Sequence, residues 1–211
     1  MKLFEAKPYI IAEVGSNWRN FDDCKHSIQM AKQCGANAVK FQLFSEGELY
    51  GPLPKGNSCG KTRLHDLPVE WLPKLKEKAD AAGIDFMCTA FSPEGLKLVD
   101  KYVDTHKIAS SDLCHVELLR AAVATGKPIY LSTGASSKGD VERALLFLKS
   151  YDPKVEVTLM YCASAYPSRM HNLFEMQWMK EKWGRPVGLS DHSLDVVYAP
   201  LSAVKHFGAT V

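Results

Sequence analysis

The stretch A-K-Q-C-G-A-N-A-V-K-F-Q, residues 31–42, carries the organising signal of this chain: the end of an amphipathic run, a glycine, then a short apolar segment. The same junction returns as A-D-A-A-G-I-D-F-M-C-T (79–89), A-V-A-T-G-K-P-I-Y-L-S-T (122–133) and V-K-H-F-G-A-T-V (204–211). A glycine just past a helix takes the left-handed conformation that closes the last turn. The run after it is too short for a helix and too uniformly apolar for a sheet with one wet face. It reads as a strand buried on both faces, as in parallel α/β sheets.

Outward from these junctions, strands are expected near 9–15, 38–43, 85–90, 105–110, 128–132, 156–163 and 186–190. Helices are expected near 22–34, 70–82, 93–102, 115–125, 138–150, 172–183 and 200–206. Ser92-Pro93-Glu94 marks one helix start, with a capping hydroxyl, a proline in the first turn and an early acid. Pro200 is expected to open the seventh helix rather than interrupt it. Seven successive βα units fit a closed (β/α)8 TIM barrel better than an open sheet, although a doubly wound sheet has the same spacing. No linker divides the chain, so residues 1–211 read as a single barrel domain, somewhat short of the usual length of about 250. The glycine- and proline-rich connection from Ser45 to Pro68 is expected to be a lid or binding element.

The net charge of +2 is small and the basic residues are scattered, which argues against a nucleic-acid surface or a basic membrane patch. The start of the chain has no apolar leader and no later run approaches a membrane span, so a cytoplasmic protein is expected. Cys24, Cys34, Cys59, Cys88, Cys114 and Cys162 form no C-x-x-C pair, and reduced thiols are the simpler reading. Cys88 and Cys162 fall in expected strands and are assigned as small core residues.

Polar residues stand where these strands should be apolar. Strand one ends E-V-G-S-N (13–17), strand two V-K-F-Q (39–42), strand three C-T-A-F-S (88–92) and strand four H-K-I-A-S-S-D (106–112). Strand five ends L-S-T-G (131–134), strand six Y-C-A-S-A-Y-P (161–167) and strand seven G-L-S-D-H-S (188–193). Barrel active sites are built at the C-terminal strand ends. A lysine buried in a strand, as expected for Lys40 and Lys107, costs several kcal/mol of desolvation unless something negative meets it. Each could pair with a structural carboxylate or snorkel outward. Two such lysines with Thr89, Ser110, Ser132 and Ser190 point instead to a phosphate or carboxylate pocket, the hydroxyls directing and the ammonium groups supplying charge. Glu13 is a candidate general base, water-holding group or metal neighbour, or else a partner for one of the lysines. His192, beside Asp191, could bind a divalent ion, although a lone histidine is more often structural. His26, His65, His115, His171 and His206 are assigned to solvent or packing, His106 is left open, and Tyr166-Pro167 is expected to shape a turn.

These residues carry a resemblance. The segments I-I-A-E-V-G-S-N (10–17), G-A-N-A-V-K-F-Q (35–42), F-M-C-T-A-F-S (86–92), H-K-I-A-S-S-D (106–112), P-I-Y-L-S-T-G (128–134), C-A-S-A-Y-P (162–167) and G-L-S-D-H-S (188–193) occur in one order. In that order they resemble the N-acetylneuraminate (sialic acid) synthase family, with its legionaminate, pseudaminate and spore-coat relatives. The resemblance implies condensation of phosphoenolpyruvate with the open-chain aldehyde of an N-acylated mannosamine-type sugar, releasing phosphate. It implies a divalent ion, Mn2+ or Mg2+, polarising the aldehyde oxygen, and a homodimer for the full-length enzyme. By resemblance, Lys40, Thr89, Lys107, Ser110, Ser132 and Ser190 correspond to the phosphoenolpyruvate pocket, with Gln42 beside it. Glu13 corresponds to the active-site acid, Asp112 and Tyr166 to sugar-side residues, and His192 to one metal ligand with a catalytic part.

The chain departs from that family pattern at three places. Trp18 follows Asn17 where a histidine is usual, and Ser111-Asp112 stand where glycine and glutamate are common. The last segment, Gly208-Ala209-Thr210-Val211, reads as an eighth strand cut short, before a second metal-binding histidine, the last helix and a C-terminal antifreeze-like domain. Two other readings compete: another phosphoenolpyruvate-aldose condensing synthase, and a truncated relative that binds a phosphate ligand without turnover.

Overall fold

In each segment that the computed structural model describes, residues 7–45, 66–169 and 172–211, helices and strands alternate. In chain order they are β1 (Ile11–Gly15), α1 (Phe21–Gln33), β2 (Ala38–Leu43), α2 (Leu72–Ala82), β3 (Asp85–Ala90), α3 (Pro93–Asp100), β4 (His106–Ile108), α4 (Val116–Val123), β5 (Ile129–Ser132), α5 (Lys138–Tyr151), β6 (Val157–Cys162), α6 (Phe174–Trp183), β7 (Val187–Ser190) and α7 (Tyr198–Phe207). The expected lid falls mainly on residues 46–65, which lie outside the described residues, as do His65 and His171. None of the described helices is long and apolar enough to cross a membrane.

The junction glycines behave as their sequence context requires. Gly35, Gly83, Gly126 and Gly208 all have positive φ, between 67° and 85°. Gly184 closes α6 in the same way, at a junction the sequence reading passed over. Helix starts follow the capping chemistry: Ser92 Oγ accepts the Gly95 N–H at 3.0 Å, and Asn20 caps α1 by accepting from Asp23 N–H. Pro200 sits in the first turn of α7, where a missing N–H costs nothing.

The chain divides into two compact units, Ile10–His106 and residues 7–9 with Lys107–Val211. The first holds a parallel sheet in the order β1-β2-β3. Ala38, Val39, Lys40 and Phe41 are consecutive and all buried, so both faces of β2 are covered. That is the burial the uniform apolar runs require. A register shift between Glu13 and Gly15 interrupts the pairing of β1.

The second unit holds a sheet in the order β4-β5-β6-β7, with β5-β6 and β6-β7 parallel. Strand four is shorter than expected: it ends at Ile108, and Ser110–Asp112 form a 3-10 turn. Beyond α7, the Thr210 N–H donates to Val187 O at 2.8 Å and Leu189 N–H to Val211 O at 2.9 Å. Tyr9 N–H donates to Thr210 O at 2.8 Å. Residues 210–211 thus take up the hydrogen bonding of a further strand beside β7. Gly188 is where this segment comes closest: a Cβ there would lie 2.7 Å from Val211 O.

Candidate active site

In the first unit, Glu13, Lys40 and Thr89 meet. Glu13 and Lys40 are register partners on β1 and β2, so their side chains leave the sheet on one face. The Lys40 ammonium, in a residue only 7% exposed, donates to the Glu13 carboxylate and lies 3.4 Å from Thr89 Oγ1. Gln42, two residues along from Lys40 and paired in register with Thr89, shares that face. Glu13, its side chain 43% exposed, thus takes the role of partner to a strand lysine. Trp18, at the position of the family histidine, is buried against Trp71 with ring centroids 5.3 Å apart. His106 is also buried, with Nε2 3.0 Å from Asp100 Oδ1, which makes it a packing residue.

In the second unit the strand ends build a denser arrangement. Ser110 Oγ donates to Ser132 Oγ at 2.9 Å and accepts the Gly134 N–H at 3.1 Å. Gly134 cannot carry a side chain here, because a Cβ would lie 2.9 Å from both Cys162 O and Ser110 Oγ. Cys162 closes β6 beside its register partner Ser190 on β7. Its Sγ is 3.6 Å from His192 Nδ1, and the same nitrogen is 3.3 Å from Ala163 O. His192 Nε2 is 3.1 Å from the Tyr166 hydroxyl, and the two rings stack with centroids 4.1 Å apart. Ser168 N–H donates to His192 O at 2.9 Å, tying the turn at Tyr166-Pro167 to the end of β7.

Electrostatics distinguish these groups. Lys107 is 9% exposed, its ammonium donates to Ile108 O at 3.2 Å, and it forms no ion pair among the described residues. Burial lowers it to about 8, with the charges of Cys162 and Asp112 partly opposing. Asp112, in the 3-10 turn, is pushed up by burial against its bond from Ser111 and the charges of His115 and Lys107. Burial would raise the Cys162 thiol too, but hydrogen bonds with His192, Ser110 and Ser132 and the His192 charge bring it down to about 7. His192 moves up from its ordinary value through its bond to Cys162, with burial opposing. The assignment of Cys162 to plain core packing therefore changes: it is buried, yet it faces the polar cluster. Its position near the C-terminal end of an expected strand was the signal available in the sequence, whereas its level with Ser190 is seen only in the structure. Cys88 keeps its core role, its thiol raised to about 12 by burial.

The sequence pattern of the NeuB family matches residues 27–211. The chain belongs to the NeuB family. It is 34% identical over 200 residues to an uncharacterized protein of Methanocaldococcus jannaschii, covering 93% of this chain and 58% of that protein. It is 30% identical over 203 residues to the pseudaminic acid synthase of Helicobacter pylori, covering 89% of this chain and 59% of that enzyme. The chain thus spans about three-fifths of the length of the curated relatives it matches. Among solved structures, the N-acetylneuraminic acid (sialic acid) synthetase from Leptospira borgpetersenii serovar Hardjo-bovis, in complex with citrate, is similar at a TM-score of 0.88 and 32% identity. That match covers 97% of this chain and 71% of the other. The α/β fold with parallel sheets is accordingly that of a NeuB family member.

Among the described residues, no three His, Cys, Asp or Glu side chains converge on a point where an ion could sit. His192 has both ring nitrogens facing protein atoms. The described residues of this NeuB member therefore do not by themselves complete a site for the divalent ion that the resemblance implies.

Proposed function

We propose that this chain carries the phosphoenolpyruvate-handling part of a nonulosonic acid synthase. C3 of phosphoenolpyruvate forms a bond to the aldehyde carbon of an N-acylated mannosamine-type sugar. Water adds at C2, and the tetrahedral intermediate loses inorganic phosphate by C2–O cleavage. The (β/α)8 barrel belongs to the same proposal, as does a divalent ion, Mn2+ or Mg2+, which would have His192 as a ligand and polarise the aldehyde oxygen.

The observation that carries the reading is Lys107: a buried strand ammonium with no carboxylate paired to it among the described residues. Such a charge is costly unless an anion meets it, and a phosphate or carboxylate ligand is an anion. In the second unit, the Ser110 and Ser132 hydroxyls at neighbouring strand ends offer directional contacts to the same ligand, with Ser190 at the end of β7. Lys40, Thr89 and Gln42 of the first unit are proposed to contribute to phosphoenolpyruvate binding. Glu13 is proposed as the active-site acid, and Asp112 and Tyr166 as contacts to the sugar.

Phosphate release assayed with phosphoenolpyruvate, Mn2+ and N-acetylmannosamine tests the proposal, alongside calorimetric titration of phosphoenolpyruvate alone. Binding together with sugar-dependent release supports it. Turnover with arabinose 5-phosphate but with no N-acyl sugar would reassign the acceptor, and binding without any release would make the chain a ligand-binding relative.

A further inference from the structure

His192 is held from both sides, and the two sides are chemically unequal. Nδ1 faces the Ala163 carbonyl at 3.3 Å and the Cys162 sulfur at 3.6 Å, while Nε2 faces the Tyr166 hydroxyl at 3.1 Å. A backbone carbonyl can only accept, so the Nδ1 contact is a hydrogen bond only when Nδ1 carries the proton. A thiol sulfur or thiolate accepts from the same N–H, and a hydroxyl can donate to the lone pair left on Nε2. Which nitrogen of a histidine is free to act is set by the bond the other one makes.

We propose that Cys162 is a positioning residue: with the Ala163 carbonyl it holds the His192 imidazole as the Nδ1–H tautomer, leaving the Nε2 lone pair toward Tyr166. The Tyr166 side of this arrangement is open, since Tyr166 is 80% exposed and meets the imidazole through ring stacking and one hydroxyl contact. The phenol is then the group a ligand displaces to reach Nε2, whereas the buried Cys162 side stays fixed. Ser168 N–H, bonded to His192 O, anchors the backbone of the same loop. The proposal rests on the reading of His192 as an active-site group, but it concerns the tautomer and not turnover.

The test is nitrogen NMR of the histidine-labelled chain at alkaline pH, where the imidazole is neutral, with His192→Gln used to assign the signal. The wild-type chain is expected to show Nδ1 protonated and Nε2 bare. Cys162→Ala should lower the ratio of the Nδ1–H to the Nε2–H form by roughly threefold to tenfold, the size of one ordinary hydrogen bond. Cys162→Ser, which keeps an acceptor and nearly the same volume, should restore the wild-type ratio. An Nε2–H tautomer in the wild type, or a ratio unmoved by Cys162→Ala in a chain with wild-type dispersion of its other signals, would overturn the proposal. If Cys162→Ala loses that dispersion, the Cys162→Ser spectrum decides alone: a wild-type ratio supports positioning, and a shifted one overturns it. Should phosphoenolpyruvate titration show no binding while the tautomer behaves as expected, the synthase reading fails and the positioning role stands.

Discussion

The two units each bury a strand lysine, and they treat it in opposite ways. Lys40 in the first unit is met by Glu13 and lies near Thr89. Lys107 in the second has a carbonyl oxygen for its neighbour, no paired carboxylate among the described residues, and an ammonium lowered to about 8 by burial. In sequence the two are the same signal, a lysine inside an apolar run. The difference lies in what each ammonium meets in the folded chain. At Lys40 the register brings Glu13 onto the same face. One lysine is thus met by a carboxylate, and the other, among the described residues, by a carbonyl oxygen alone.

Breaking the first pair should give the largest effect on stability. Glu13→Ala leaves the Lys40 ammonium buried without its carboxylate. A fully buried pair would lose about 3–5 kcal/mol, and the partial exposure of Glu13 reduces the expected loss to about 2 kcal/mol. Urea unfolding measures it, and a variant as stable as the parent would mean that the pair contributes nothing.

The opposite substitution sharpens the contrast. Lys107→Met removes a buried charge with no carboxylate paired to it among the described residues, so the melting temperature should hold or rise. Phosphoenolpyruvate binding should nonetheless fall by roughly tenfold to a hundredfold, the value of a charge-assisted contact. Equal affinity in calorimetric titration would make Lys107 a structural residue. Lys107→Arg, which keeps the charge, should lose less.

Gly134 tests whether the second unit's cluster is as tightly built as its distances say. Gly134→Ala drives a Cβ against Cys162 O and Ser110 Oγ. Overpacking of this kind costs about 1–3 kcal/mol, and it should be accompanied by weaker ligand binding because Ser110 must move. Thermal unfolding unchanged from the parent would show that the strand end can relax freely.

The most gradual expected effect is on pH dependence, because it is spread over a wide titration window. Lys107 titrates near 8 in the folded chain and near its ordinary value of 10.5 when unfolded. Between those values the unfolded chain holds a proton that the folded one lacks, so this residue's contribution to stability becomes more favourable as pH rises through the window. Anion binding runs the other way, weakening as pH passes about 8 and the ammonium discharges. Comparing parent and Lys107→Met across that range isolates both slopes. Identical slopes in the two proteins would remove Lys107 as their source.

The sequence by itself determined the helix and strand positions, because glycine junctions, capping residues and uniformly apolar runs act locally. Ser92 capping α3 and the left-handed Gly83 behave as their neighbours in the chain demand. Motif order likewise sufficed for the family. Only the tertiary structure decided that Glu13 answers Lys40, that Lys107 meets a carbonyl and no carboxylate among the described residues, and that Cys162 faces His192 instead of the core. Those outcomes depend on which residues of different strands share a level and a face. Strand register is fixed by packing between segments 27 and 30 residues apart for these two contacts, a distance at which local sequence patterns carry no information about one another.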